Sequence, residues 1–286
     1  MIRDSKGKRT YWNQHVDFYL TDSSKMRRRL TEPFADPSYR PQYTFELAKN
    51  HWHLMFGRYS RGDAISELAP LFSPMLDAWE ESVRLGLEVY STDQQRTRNS
   101  WAVNFDHYVV CFWLVGLALS MKVPDAQWHR LLALIGNDGE DILLDRIIAS
   151  RSPARKIGAH LCFKKPYARL LAAVDAPPQQ RAAKLREFVE HWYEEMGVIG
   201  SSGRAKQAVP YKHPYWHKLG GENFEGGAYF GRWCVEAVAA VKAFGLDDSL
   251  CLGHEYYPGD LLRPQGPSTH SPRHGTWRDR LPQWLR

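Results

Sequence analysis

Apolar residues recur at spacings of three and four along most of the chain, with no alternating run of β-branched residues bounded by turns, which predicts an all-α protein. A first helix is expected over about Tyr11 to Leu30, with Trp12, Val16, Tyr19 and Leu20 on one face. The second follows Pro41, carries Phe45, Trp52, Leu54, Met55 and Phe56 as apolar positions, and ends near Gly57 to Gly62. Leu68 to Val89 reads as a third, restarted near Pro74. Its inward positions are Met75, Leu76, Trp79, Val83 and Leu87, which leaves Asp77, Glu80, Glu81 and Glu88 as an acidic outer face. Ser100 to Met121 is apolar nearly all round and is the expected central helix of the amino-terminal half.

Val123-Pro124-Asp125 breaks that helix, because the residue before proline resists helical geometry and Asp suits an N-cap. Helices are then expected over Ala126 to Ile135 and Glu140 to Ala149, around a Gly136-Asn137-Asp138-Gly139 turn, and over Ala154 to Val174 and Ala182 to Met196. Gly197 to Lys212 reads as a long Gly/Ser-rich loop. The last clear helix is expected from Asn223 to Phe244, stopped by Gly245, with Asp247-Asp248 capping a short final one. From Arg263 onward Pro, His, Arg and Gly dominate, a composition that builds no core and predicts a flexible tail. The organisation expected is therefore a compact multi-helix protein of two abutting subdomains, 1–125 and 126–262, followed by the tail 263–286.

Composition changes this picture little. Among 286 residues, 11 Trp, 14 Tyr and 12 Phe point to an aromatic-rich core. The longest apolar stretch, Tyr108 to Met121, has 14 residues where a membrane span needs roughly 20, so no membrane partner is expected. The charged amino terminus lacks the apolar run of a secretory signal. Four scattered cysteines, Cys111, Cys162, Cys234 and Cys251, form no C-x-x-C pair and read as free thiols of a reducing cytoplasm. The net charge of +6 sits at the ends of the chain: residues 1–30 carry eight Lys/Arg against three Asp/Glu and residues 263–286 five against one, so 31–262 is net −3. Basic ends without a helix-turn-helix or zinc-finger pattern are a weak case for direct nucleic-acid binding.

Catalytic chemistry does not assemble from the motifs. His51 and His53, two residues apart, point to different helix faces and read as structural. His213 and His217 have the spacing of zinc ligands, but Pro214 and the missing glutamate between them argue for a packed aromatic loop. Gly200-Ser201-Ser202-Gly203 is not a nucleophile elbow, and Gly220-Gly221 with Gly226-Gly227 lacks the lysine of a phosphate loop. The carboxylate pairs Glu80/Glu81 and Glu194/Glu195 fit solvated helix faces. No catalytic residue, metal or cofactor is assigned.

The most specific text lies late in the chain: Tyr229-Phe230-Gly231-Arg232-Trp233-Cys234-Val235-Glu236-Ala237-Val238-Ala239-Ala240-Val241-Lys242, Phe244-Gly245-Leu246-Asp247-Asp248, then His254-Glu255-Tyr256-Tyr257-Pro258-Gly259-Asp260-Leu261-Leu262. This block resembles the carboxy-terminal domain of the polymorphic-nuclease-effector immunity family, and the helical region from Met1 to Lys122 is similar in size and pattern to that family's amino-terminal domain. The resemblance implies an all-α, non-catalytic protein that binds and neutralises a cognate secreted toxin, commonly a nuclease delivered by a type VI secretion system. It assigns no functional residues.

Gly231, Trp233, Glu236, Tyr256, Tyr257 and Asp260 have a structural reading: helical spacing gathers Phe230, Trp233, Ala237 and Val241, Glu236 needs a Tyr or Arg partner if buried, and the last three latch the final segment down. Toxin-binding candidates are the acidic residues Asp77, Glu80, Glu81 and Glu88, together with Glu222 and Glu225 beside the aromatic Tyr211, Tyr215 and Trp216, since carboxylates complement the positive cleft of a nuclease. The first group fits ordinary solubility equally well. Two further functions stay open at this point: a metal-dependent helical hydrolase using His213, His217 and Glu222, and nucleic-acid binding by the basic ends. Oligomeric state is left open.

Overall fold

A computed structural model describes residues 1–197, 214–220 and 227–270. Among them the chain forms ten α-helices: α1 Arg9–Leu30, α2 Arg40–Arg61, α3 Phe72–Val89, α4 Thr92–Asn99, α5 Phe105–Met121, α6 Asp125–Ile135, α7 Ile142–Ala149, α8 Lys164–Asp175, α9 Pro178–Met196 and α10 Val235–Phe244. No strand occurs among the described residues. The all-α expectation holds.

Helices α1, α2 and α3 pack in chain order, α8 pairs with α9, and α10 lies along α5. Except for Asp106 and Met121, every residue of α5 is buried, so it is the axis around which both halves assemble. Its start is set by Asn104, whose side chain accepts the His107 N–H at 3.0 Å, and its end by Lys122 in the left-handed region. Gly116 lets α10 come close, because a methyl there would lie 2.7 Å from Val235 Cγ1 and 3.1 Å from Ala239 Cβ. One hydrophobic cluster runs from Met26 to Leu261 and draws on every helix except α4. The two expected subdomains therefore share a single core.

Several boundaries move. The expected restart at Pro74 is instead two 3-10 turns, Ile65–Glu67 and Ala69–Leu71, with Pro74 accommodated in the first turn of α3 where no backbone donor is needed. Leu20, Val83 and Leu87, expected inward, stand 40 %, 40 % and 66 % exposed. Ser100–Asn104 is a turn, and a separate helix, α4, precedes it behind a capping box of Ser91 and Gln94.

The expected helix from Ala154 begins only at Lys164. Residues 151–163 are instead collected by two buried carboxylates: Asp145 Oδ2 accepts the Gly158 N–H at 3.1 Å, Asp141 Oδ2 accepts the Cys162 N–H at 2.8 Å, and Arg155 pairs with Asp145 at 2.7 Å. Side chains replace the helical ladder here. Residues 229–234, expected inside a helix, are irregular because their backbone bonds are long-range: Tyr11 and Ser60 hydroxyls donate to the Tyr229 and Phe230 carbonyls, and Cys234 N–H to Tyr256 O. Gly245 ends α10 in the left-handed conformation, as expected.

The tail is not loose at its start. Arg263 pairs with Asp248, Thr269 and Ser268 donate to Asp260, and buried His270 faces the Tyr59 hydroxyl at 2.8 Å. The remainder, 271–286, and the expected loop 198–212 lie outside the described residues.

Candidate functional site

Between α2, α3 and the α4–α5 corner lies a cavity of about 280 Å³. Buried Trp52, Trp79 and His107 form its floor, and Phe45, Tyr90 and Tyr215 its walls. Val83 and Leu87, one turn apart on α3, form an exposed apolar lip. Their spacing places them on one helix face, and none of Asp77, Glu80, Glu81 and Glu88 lines the cavity.

Four charges enter this cavity. Lys49 lies 4.4 Å from the Tyr215 ring centroid and 3.3 Å from Glu46, and Arg98 lies 4.5 Å from the Tyr90 centroid while donating to Gln42 Oε1 at 2.8 Å. Glu46 also accepts from Gln42 at 2.9 Å. Asp106 accepts the Tyr215 N–H at 2.9 Å, its one hydrogen bond among the described residues. Burial pushes its carboxyl up to about 6 against the opposing pull of that N–H and of Lys49. His107 is held down at about 4 by burial and then by Arg98, so its ring is neutral. Cys111, 3.4 Å from His107, has its thiol pushed up to about 12 by burial and is no nucleophile at neutral pH. The cavity is large enough to hold a side chain or a small cation.

The acidic candidates on α3 divide between two arginines. Asp77 and Glu80 meet Arg130 of α6 at 2.6 and 2.7 Å, and Glu81 and Glu88 meet Arg84 at 2.8 and 3.5 Å. Among the aromatic candidates, Tyr215 hydrogen-bonds buried His53 at 2.6 Å, and Trp216 is buried against Trp113 and stacked on Trp192. Tyr211, His213, Glu222 and Glu225 lie outside the described residues. His217 stacks on Tyr193 and bonds its carbonyl at 2.7 Å. Among the described residues no three His, Cys, Asp or Glu side chains gather as metal ligands.

The late sequence block lies in the interior. Glu236 is fully buried, with Oε1 accepting from Tyr167 at 3.1 Å and Trp192 at 3.2 Å, and burial pushes its carboxyl up to about 7. Trp233 donates to Ser60 at 2.8 Å, and Gly231, at φ 108°, leaves no room for a Cβ between Ser60 and the Trp233 ring. Tyr257 donates to Asp248 at 2.6 Å, and the Tyr256 carbonyl accepts the Cys234 N–H at 2.8 Å. Asp260 takes Arg3 at 2.5 Å, which ties the amino terminus to the end of the folded region.

Two family models match the chain in order. The one described as PoNe immunity protein, N-terminal, matches residues 3–133, and the one described as PoNe immunity proteins, C-terminal, matches residues 139–261. The chain belongs to the PoNe immunity protein family. Its fold is also that of a solved structure titled the crystal structure of protein PA2201 from Pseudomonas aeruginosa, with a TM-score of 0.62 at 18 % identity over 88 % of this chain and 87 % of that one. No curated protein matches significantly. In this PoNe immunity protein the two matched segments meet along α5 and α10, so the family's two parts fold as one body.

Sequence reasoning missed the cavity. Asp106, Lys49, Arg98 and Gln42 were unremarkable while α4 was unrecognised and α5 was extended back to Ser100. The Ser91-x-x-Gln94 capping box and Asn104 were the signals that separate the two helices.

Proposed function

We propose that this PoNe immunity protein binds a cognate nuclease toxin, delivered by a type VI secretion system, and neutralises it in the cytoplasm of the cell that makes both. The observation that carries this reading is the ordered match of both PoNe immunity models across residues 3–261. The position of the late motif supports a binding protein: Trp233, Glu236 and Tyr257 are buried and engaged, which leaves function to the surface. No helix among the described residues is long and apolar enough to cross a membrane.

The rival readings find less support. His217 is engaged by Tyr193, and the basic amino-terminal residues Arg3, Arg27 and Arg29 meet Asp260, His51 and Glu32. Co-expression with the toxin encoded by the adjacent gene tests the proposal. Growth rescue and a stoichiometric complex on size exclusion are expected. Continued toxicity together with two separate peaks would refute it.

A further inference from the structure

We infer that the cavity between α2, α3 and the α4–α5 corner is a socket in which the toxin seats an arginine, its stem against Val83 and Leu87 and its guanidinium against Asp106. This rests on the proposed function and names where that partner anchors.

Three observations converge. Val83 and Leu87 are large apolar side chains left 40 % and 66 % exposed at the mouth of a cavity of about 280 Å³, the arrangement in which an interface anchor gains most from leaving water. The cavity's own cations show what its walls accept, since Lys49 and Arg98 each lie within 4.5 Å of an aromatic centroid. Glu46 is occupied by Lys49 and Gln42, whereas among the described residues Asp106 uses one of its roughly four acceptor positions, on Tyr215 N–H.

Inside the cavity Glu46 and Asp106 balance Lys49 and Arg98, so what a cation would meet is the open acceptor positions of Asp106 rather than a net negative field. A nuclease must grip a polyanion and therefore displays arginine and lysine. Arginine fits better than lysine, because its planar fork pairs with a carboxylate while its face stacks on a ring. Other exposed apolar residues, Phe18, Ile157 and Leu250 among them, lie outside this cavity.

The test uses the full chain and a catalytically inactive form of the adjacent toxin, with affinity measured by calorimetry. Leu87→Arg should weaken binding about 100-fold and Asp106→Asn about 10-fold, while Phe18→Ser stays within about twofold. Both groove variants should keep the wild-type melting temperature, since Leu87 is exposed and an asparagine oxygen still accepts from Tyr215. On the toxin, one Arg→Ala change should reproduce the Asp106→Asn loss and be non-additive with it. Unchanged affinity of Leu87→Arg in a toxin that binds wild type overturns the socket and leaves the proposed function standing. No binding by wild type overturns both. A homodimer of the free chain dissolved by Leu87→Arg assigns the face to a second copy and also overturns the socket.

Discussion

Helix α5 meets two regions of opposite character. Toward its middle and end it packs against α10 through Gly116, and the carboxylate nearby, Glu236, is sealed under Tyr167 and Trp192. At its start it opens on the cavity, where Asp106 holds a single backbone donor. Burial raises both carboxyl groups, to about 7 and about 6. A perturbed carboxylate is therefore no sign of a site by itself. What separates the two is access: Glu236, whose Oε2 also has no hydrogen-bond partner among the described residues, is fully buried, whereas Asp106 lines a cavity with an exposed apolar lip.

The sealed side of α5 should respond most strongly to substitution. Trp192→Ala removes a fully buried ring that stacks on Trp216 and donates to Glu236, and should cost about 4 kcal/mol in urea unfolding. Arg3→Ala leaves the Asp260 carboxylate, with a side chain 4 % exposed, short of its counter-charge, and should cost about 3 kcal/mol. A loss under about 1 kcal/mol in either case would show that the interior tolerates what its geometry forbids.

Glu236→Gln should act in the opposite direction and depend on pH. The folded carboxyl near 7 lies above the ordinary 4.5, so stability is intact below about 4.5 and is lost as pH rises through 7. The glutamine variant should thus be more stable than wild type by about 1–3 kcal/mol at pH 8 and nearly equal to it at pH 4.5. A pH-independent difference would place the charge elsewhere. Smallest of all should be Leu87→Ser, which is expected to shift stability by less than about 0.5 kcal/mol, measured by thermal melting.

Elements held by local interactions were legible in the sequence, and those held by distant ones were not. Periodicity places α1, α2, α6 and α9 within a few residues, and Gly62 and Gly245 end helices in left-handed conformations as glycine permits. The stretch 151–163 was misread because its backbone is held by Asp141 and Asp145, whose grip on it depends on the tertiary fold. The helix expected over 229–234 is absent for the same reason, since Tyr11 and Ser60 reach that segment across the fold. On α3 the period was right while the conclusion was not. Val83 and Leu87 do share a face, but among the described residues no neighbouring element covers the part they occupy. A helical stripe reveals which residues travel together and is silent about whether anything meets them.

Gly116 carries a consequence for how specificity in this family can be re-engineered. Because α10 rests on it with a clearance smaller than a methyl group, the carboxy-terminal segment is fitted to this particular α5, and halves taken from two relatives would have to match at the scale of one carbon atom. Exchange of whole segments is a poor route to a new partner. Under the proposed function, re-targeting would be attempted on the outer helices one side chain at a time while the joint stays untouched.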